Sequence, residues 1–109
     1  MKFRSDLIIA EEKLTGYLLV KREFDDKSQF LSKAGYTLDN FKKLKDDILN
    51  IVLENEAVFQ REDEYGKFYK INGILPGVNG NRIKVQTIWL KTKIDKSVRF
   101  ITLIPDRRT

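Results

Sequence analysis

The sequence predicts an α+β fold in which N-terminal helices pack on a four-stranded antiparallel sheet. Apolar residues recur at helical spacing through residues 1–55, and the spacing changes to period two over residues 56–109. The period-two segments are joined by short turns, which makes an antiparallel meander the economical topology. The 109 residues are expected to form one domain, mainly helical over 1–55 and sheet over 56–105, with a frayed tail at 106–109.

The elements follow in order. Residues 7–10 read as an extended edge segment. Residues 11–20 read as a short helix with Leu14, Tyr17 and Leu18 on one face. Residues 27–34 predict a second helix, with Phe30, Leu31 and Ala34 inward and Gly35 as the stop. The third helix, over 38–54, has the clearest pattern: Leu38, Phe41, Leu44, Ile48, Ile51 and Val52. Thr37 is its expected N-cap, with Asp39 and Asn40 able to serve instead. Asp46 and Asp47 are assigned to its polar face, in i, i+4 pairs with Lys42 and Lys43.

Residues 57–61 and 68–75 read as strands around an Asp63-Glu64-Tyr65-Gly66 turn. Pro76 to Asn81 is a turn, since Asn79-Gly80 suits positive φ. The longest strand, 82–91, places Ile83, Val85, Thr87 and Trp89 on the presumed core face and Lys84, Gln86, Ile88 and Leu90 on the other. The last strand, 98–104, follows the turn Asp95-Lys96-Ser97. It is apolar on both faces, which leaves its register open.

Charge separates the two halves. Residues 1–55 hold ten basic and ten acidic side chains, whereas 56–109 hold 11 and 6; from Gly66 onward the count is ten against two. An electropositive sheet attracts phosphate backbones. Charged edge strands that prevent sheet association explain the same residues without a ligand. The chain has no cysteine and no histidine. That excludes disulfides, thiolate metal sites, cysteine nucleophiles, a Ser-His-Asp triad and a histidine base. The acidic pairs Asp25-Asp26 and Asp46-Asp47 lack the spacing of a metal loop, so no metal is expected. The Pro76-Gly77-Val78-Asn79-Gly80 loop precedes a strand and not a helix, so it is no phosphate-cradling nucleotide loop. No cofactor is expected. The apolar runs are too short for a membrane span, and the N-terminus lacks the features of a signal peptide. Cytoplasmic residence is the default.

Several motifs recur together: Lys13-Leu14-Thr15-Gly16-Tyr17-Leu18-Leu19, Asn79-Gly80, Thr87-Ile88-Trp89 and Thr102-Leu103-Ile104-Pro105. As an ensemble they resemble a family of small uncharacterised bacterial domains, a domain of unknown function. The layout is similar to the barnase–colicin–RelE superfamily of ribonucleases, many of them bacterial toxins. The family often carries an Asn-Pro-x-His-Pro segment before its lysine, where this chain has Val20 to Asp26 and no histidine.

The resemblance implies an RNA-directed, metal-free ribonuclease of toxin type, with Lys27, Thr87 and Thr102 as candidate catalytic residues and Trp89 beside them. Such cleavage needs activation of the 2′-hydroxyl, a cation for the phosphorane and an acid for the leaving group, and Lys, Arg and Tyr can supply these functions. Thr87 and Thr102 are expected to meet across adjacent strands. Lys70, Arg82, Lys84 and Arg99 are the candidate RNA-binding residues. The same residues also have ordinary structural readings: threonine pairs in sheets, Trp89 anchors the core, and Lys27 caps a helix or pairs with Glu23. The alternatives to a nuclease are a non-catalytic immunity or accessory protein, and an RNA-binding module without cleavage. RNA and a cognate protein are therefore the partners the sequence offers.

Overall fold

The computed structural model describes residues 1–4, 6–21 and 27–106. The acidic pair Asp25-Asp26, the expected Lys27 partner Glu23, and the tail beyond Asp106 lie outside the described residues.

The chain runs β1 (Leu7–Ile8), α1 (Glu11–Lys13) continued by a π-helical turn (Leu14–Leu18), α2 (Ser28–Ser32), a 3₁₀ turn (Leu38–Asn40), α3 (Phe41–Glu54), β2 (Val58–Asp63), β3 (Gly66–Leu75), β4 (Ile83–Thr92) and β5 (Val98–Pro105). One five-stranded sheet has the order β1-β5-β4-β3-β2. Its four C-terminal strands form the expected antiparallel meander. The fifth strand corrects the predicted count. The 7–10 segment docks parallel on β5, with Leu7 opposite Val98 and Ile8 opposite Arg99. Two residues suffice to cover the start of that edge, too few to produce a period-two signal in the sequence.

α3 lies on one sheet face because its apolar stripe is continuous. Leu44, Ile48, Ile51 and Val52 are buried against Ile71, Leu75, Val85, Trp89 and Leu103. The approach is closest at β3: a Cβ on Gly73 would stand 2.5 Å from Ile51 Cγ2, so glycine is needed there for contact. Asp47 departs from the expected polar face. It is 2 % exposed, with Oδ2 accepting from Tyr36 Oη at 2.6 Å and Oδ1 accepting from Lys43 Nζ at 2.9 Å. Burial of a carboxylate is tolerated here because both oxygens are partnered.

The Pro76–Asn81 turn folds back onto the end of α2. Val78 N donates to Ala34 O at 2.7 Å, and the side-chain amides of Asn79 and Asn81 both donate to Lys33 O. These bonds satisfy carbonyls that a helix C-terminus leaves open. Gly35 ends the segment at φ +86°, in the left-handed region, as its position in the sequence predicts.

β5 carries the other departure. Trp89 pairs with Phe100 but Ile88 pairs with Thr102, so Ile101 is an extra residue in the ladder. The bulge shifts the alternation. Val98 and Phe100 face the core before it, and Leu103 does after it. This is why β5 reads as apolar on both faces.

Candidate functional site

The outer face of the sheet, away from α3, is set by register. One row runs Lys70, Ile88, Thr102 across β3, β4 and β5; a second runs Arg61, Phe68, Leu90, Arg99; Lys84 lies opposite Ile74 farther along. Three of the four predicted RNA-binding residues, Lys70, Lys84 and Arg99, therefore share one face with Thr102. Arg61 lies over the Phe68 ring, 4.0 Å from its centroid. Arg82 sits apart, on a recess of about 380 Å³ beside α3 that also contains Asp47 and Glu54.

Lys27 and Thr102 converge. Lys27 Nζ donates to Thr102 Oγ1 at 3.1 Å and to Tyr17 Oη at 3.3 Å, and lies 5.3 Å from the Tyr17 ring centroid. Lys27 is 8 % exposed, while Tyr17 and Thr102 are half-buried. Three local features build this cluster. Lys27 immediately precedes α2, where its carbonyl accepts from Leu31 N at 3.0 Å. Tyr17 sits in the π-helical turn, a wide geometry that recurs at functional positions. Thr102 directly follows the bulge, a device that re-aims a side chain.

Thr87 does not join them. Its cross-strand partner is Leu103, and it lies on the core face at 0 % exposure. Its hydroxyl donates to Ile71 O at 2.8 Å and accepts from Trp89 Nε1 at 2.8 Å. Thr87 thus satisfies the indole of a fully buried tryptophan, and the expected Thr87–Thr102 meeting is corrected by the Ile101 bulge. Trp89 is a core anchor, packed edge-on against Phe100 with centroids 5.3 Å apart. Tyr17 is the residue that sequence reasoning missed. It packs against the core from the face of the first helix that the spacing assigns it, but no spacing rule pairs it with Lys27.

Arg99 is held on the sheet face by its own turn. Its Nε donates to Ser97 Oγ at 3.1 Å and a terminal nitrogen donates to Asp95 Oδ2 at 3.2 Å. Asp95 also accepts from Thr92 Oγ1, Ser97 N and Ser97 Oγ. These hydrogen bonds, that of Thr92 first, hold its carboxyl far below the ordinary range although it is exposed. Among the described residues, no helix is long and apolar enough to cross a membrane. Nor do three or more Asp or Glu side chains there gather as a metal site would require.

The fold has a relative among solved structures. A chain from a contact-dependent growth inhibition toxin–immunity protein complex of Klebsiella pneumoniae 342 superposes with a TM-score of 0.71 over 92 % of this chain and 93 % of that one, at 20 % identity. At that identity the likeness is one of fold. No curated protein matches the sequence. A family model matches residues 3–107, and the chain belongs to that family, a domain of unknown function (DUF6883).

Proposed function

We propose that this domain is a toxin-type ribonuclease that cleaves RNA without a metal, with Lys27 and Tyr17 at the reacting phosphate and Thr102 positioning Lys27. The observation that carries this reading is the convergence of Lys27, Tyr17 and Thr102 from three distant parts of the chain. The common face of Lys70, Lys84 and Arg99 supports it, as does the fold shared with a chain of a toxin–immunity complex.

The 2′-oxygen attacks the adjacent phosphorus, a 2′,3′-cyclic phosphate forms, and the bond to the 5′-oxygen breaks. The 2′-hydroxyl proton leaves to solvent. The Lys27 ammonium neutralises charge building on the non-bridging oxygens, which is the larger contribution in such sites. The Tyr17 phenol protonates the departing 5′-oxygen and is reprotonated from water. Thr102 Oγ1 holds the ammonium in place. Lys70, two strands away on the same row and so about 10 Å distant, takes a neighbouring phosphate.

A second reading, a non-catalytic immunity or accessory protein, is favoured by a largely apolar recess of about 270 Å³ between Tyr65, Leu90, Ile94 and Arg99, where Ile94 is 96 % exposed. Induced expression in a host cell, followed by gel analysis of total RNA, separates the two. The nuclease reading expects growth arrest and degraded RNA with wild type, and neither with Lys27→Gln. Harmless expression with intact RNA, joined to capture of one co-expressed protein that Ile94→Asp abolishes, supports the second reading.

A further inference from the structure

We propose that a lysine-lined recess at the hairpin end of the sheet is a second phosphate-binding site, which grips the RNA backbone away from the reacting phosphate. The choice of RNA rests on the ribonuclease reading; the anion chemistry does not.

Lys67 and Lys91 are direct cross-strand partners. Like charges placed opposite one another destabilise an antiparallel pair; Glu62, opposite Lys67 on β2, offsets this on one side only, and an anion would offset the rest. Lys93 and Lys96 join them around a recess of about 140 Å³ that Tyr69 also lines. Glu62 is the one carboxylate on the recess among the described residues, and its oxygen stands 4.0 Å from Lys93 Nζ. Four lysines and a single acid thus line the recess, and that acid, the cross-strand partner of Lys67 on β2, is shared among them.

The backbone builds this arrangement. Lys93 N donates to Tyr65 O at 3.1 Å, which ties the β2–β3 turn to the β4–β5 turn. Lys96, also on the recess, sits at φ +63°, a left-handed conformation that a lysine adopts at some cost.

The recess is small and polar, and suits a compact, dense anion such as a phosphate. An acidic protein surface would instead require a broad apolar centre with charges at its rim. Lys67 and Lys91 share the face of Tyr69 and Trp89, opposite to the Thr102 row, and Lys91 lies about 10 Å along β4 from Ile88. An RNA strand seated on the outer face reaches this recess by passing around the hairpin end.

The test measures binding of a 5′-labelled single-stranded RNA dodecamer by fluorescence anisotropy from 50 to 300 mM salt, on the Lys27→Gln background so that the probe stays whole. Replacing two lysines by Lys67→Gln/Lys91→Gln is expected to weaken binding roughly tenfold at low salt and to flatten the log–log salt slope by about 1.4, the share of two phosphate contacts on a single strand. A charge-matched control, Lys33→Gln/Lys42→Gln, both exposed on the helical side, should leave that slope unchanged. An unchanged slope in the first variant, or an equal fall in the control, overturns the proposal.

Titration with tripolyphosphate, followed by NMR at the four lysines, distinguishes the source of the anion. Shifts there with no effect of the substitutions on RNA binding assign the recess to free phosphates and overturn its RNA role. RNA binding that depends on Lys67 and Lys91 in a wild-type protein that never cleaves RNA sustains this site while the nuclease reading fails.

Discussion

Lys27 Nζ reaches Thr102 Oγ1 at 3.1 Å across a sequence separation of 75 residues, and this one bond joins the start of α2 to the last strand of the sheet. If it positions an ammonium at a reacting phosphate, Lys27→Gln should lower the RNA cleavage rate by about 10²–10³-fold, as losing one preorganised electrostatic donor does elsewhere. Thr102→Val should cost roughly tenfold, with Thr102→Ser retaining most activity. Single-turnover kinetics on a labelled RNA, with circular dichroism to verify folding, checks both. A larger loss in Thr102→Ser than in Thr102→Val would indicate a packing role.

The buried Tyr36–Asp47 bond should govern stability at alkaline pH. Burial first, then the neighbouring Asp47 carboxylate, raises the Tyr36 hydroxyl well above its ordinary value of 10.0. The folded state therefore keeps this proton when the unfolded state has lost it. The stabilisation is complete below pH 10 and declines as pH rises from there towards the folded value. Tyr36→Phe should reduce stability at pH 7 by about 1–3 kcal/mol, because it leaves Asp47 short of a donor. The loss relative to wild type should narrow above pH 10. Urea denaturation at pH 7 and pH 10.5 reads this.

The Asp95 turn gives the opposite pH sign. Hydrogen bonds depress its folded carboxyl below the ordinary 3.8. Its stabilisation is present above that pH and is lost as pH falls below it. Thermal melts should show Asp95→Asn less stable than wild type at pH 6, with the gap narrowing progressively as pH falls below 4. A gap that stays constant would mean the charge of Asp95 is not what holds the hairpin.

The close approach of α3 to β3 predicts a specific rescue. Gly73→Ala places a methyl 2.5 Å from Ile51 Cγ2 and should cost about 1–3 kcal/mol as overpacking. Ile51→Ala removes Cγ1 and Cγ2, the two carbons at the crowded point, so the double variant should be less destabilised than the sum of the singles. Denaturant midpoints of the four proteins measure the coupling, and strict additivity would contradict the contact.

Much of this architecture was legible in the sequence for identifiable physical reasons. The α3 stripe from Leu44 to Val52 repeats at 3.6 residues, and Val85, Thr87 and Trp89 alternate cleanly, so both faces were readable. Lys27 and Thr102 were also singled out from the resemblance. Two features were not legible. A single inserted residue, Ile101, leaves no compositional mark, yet it moves Thr102 to the outer face and away from Thr87. The parallel pairing of Leu7–Ile8 on β5 is too short for any periodicity and depends on an edge formed ninety residues later. The Tyr17–Lys27 contact was not foreseen and Asp47 was assigned to the polar face, because each is set by a partner that spacing rules do not see.

Incubation of the purified protein with a single-stranded RNA in EDTA at low salt, with the product ends read by mass spectrometry, tests the nuclease reading most directly. Cleavage to 2′,3′-cyclic phosphate ends by wild type, slowed at least a hundredfold by Lys27→Gln and abolished by a 2′-deoxy nucleotide at the cleavage position, is the predicted result. RNA that stays intact, or is cut equally well by the Lys27→Gln protein, would contradict it.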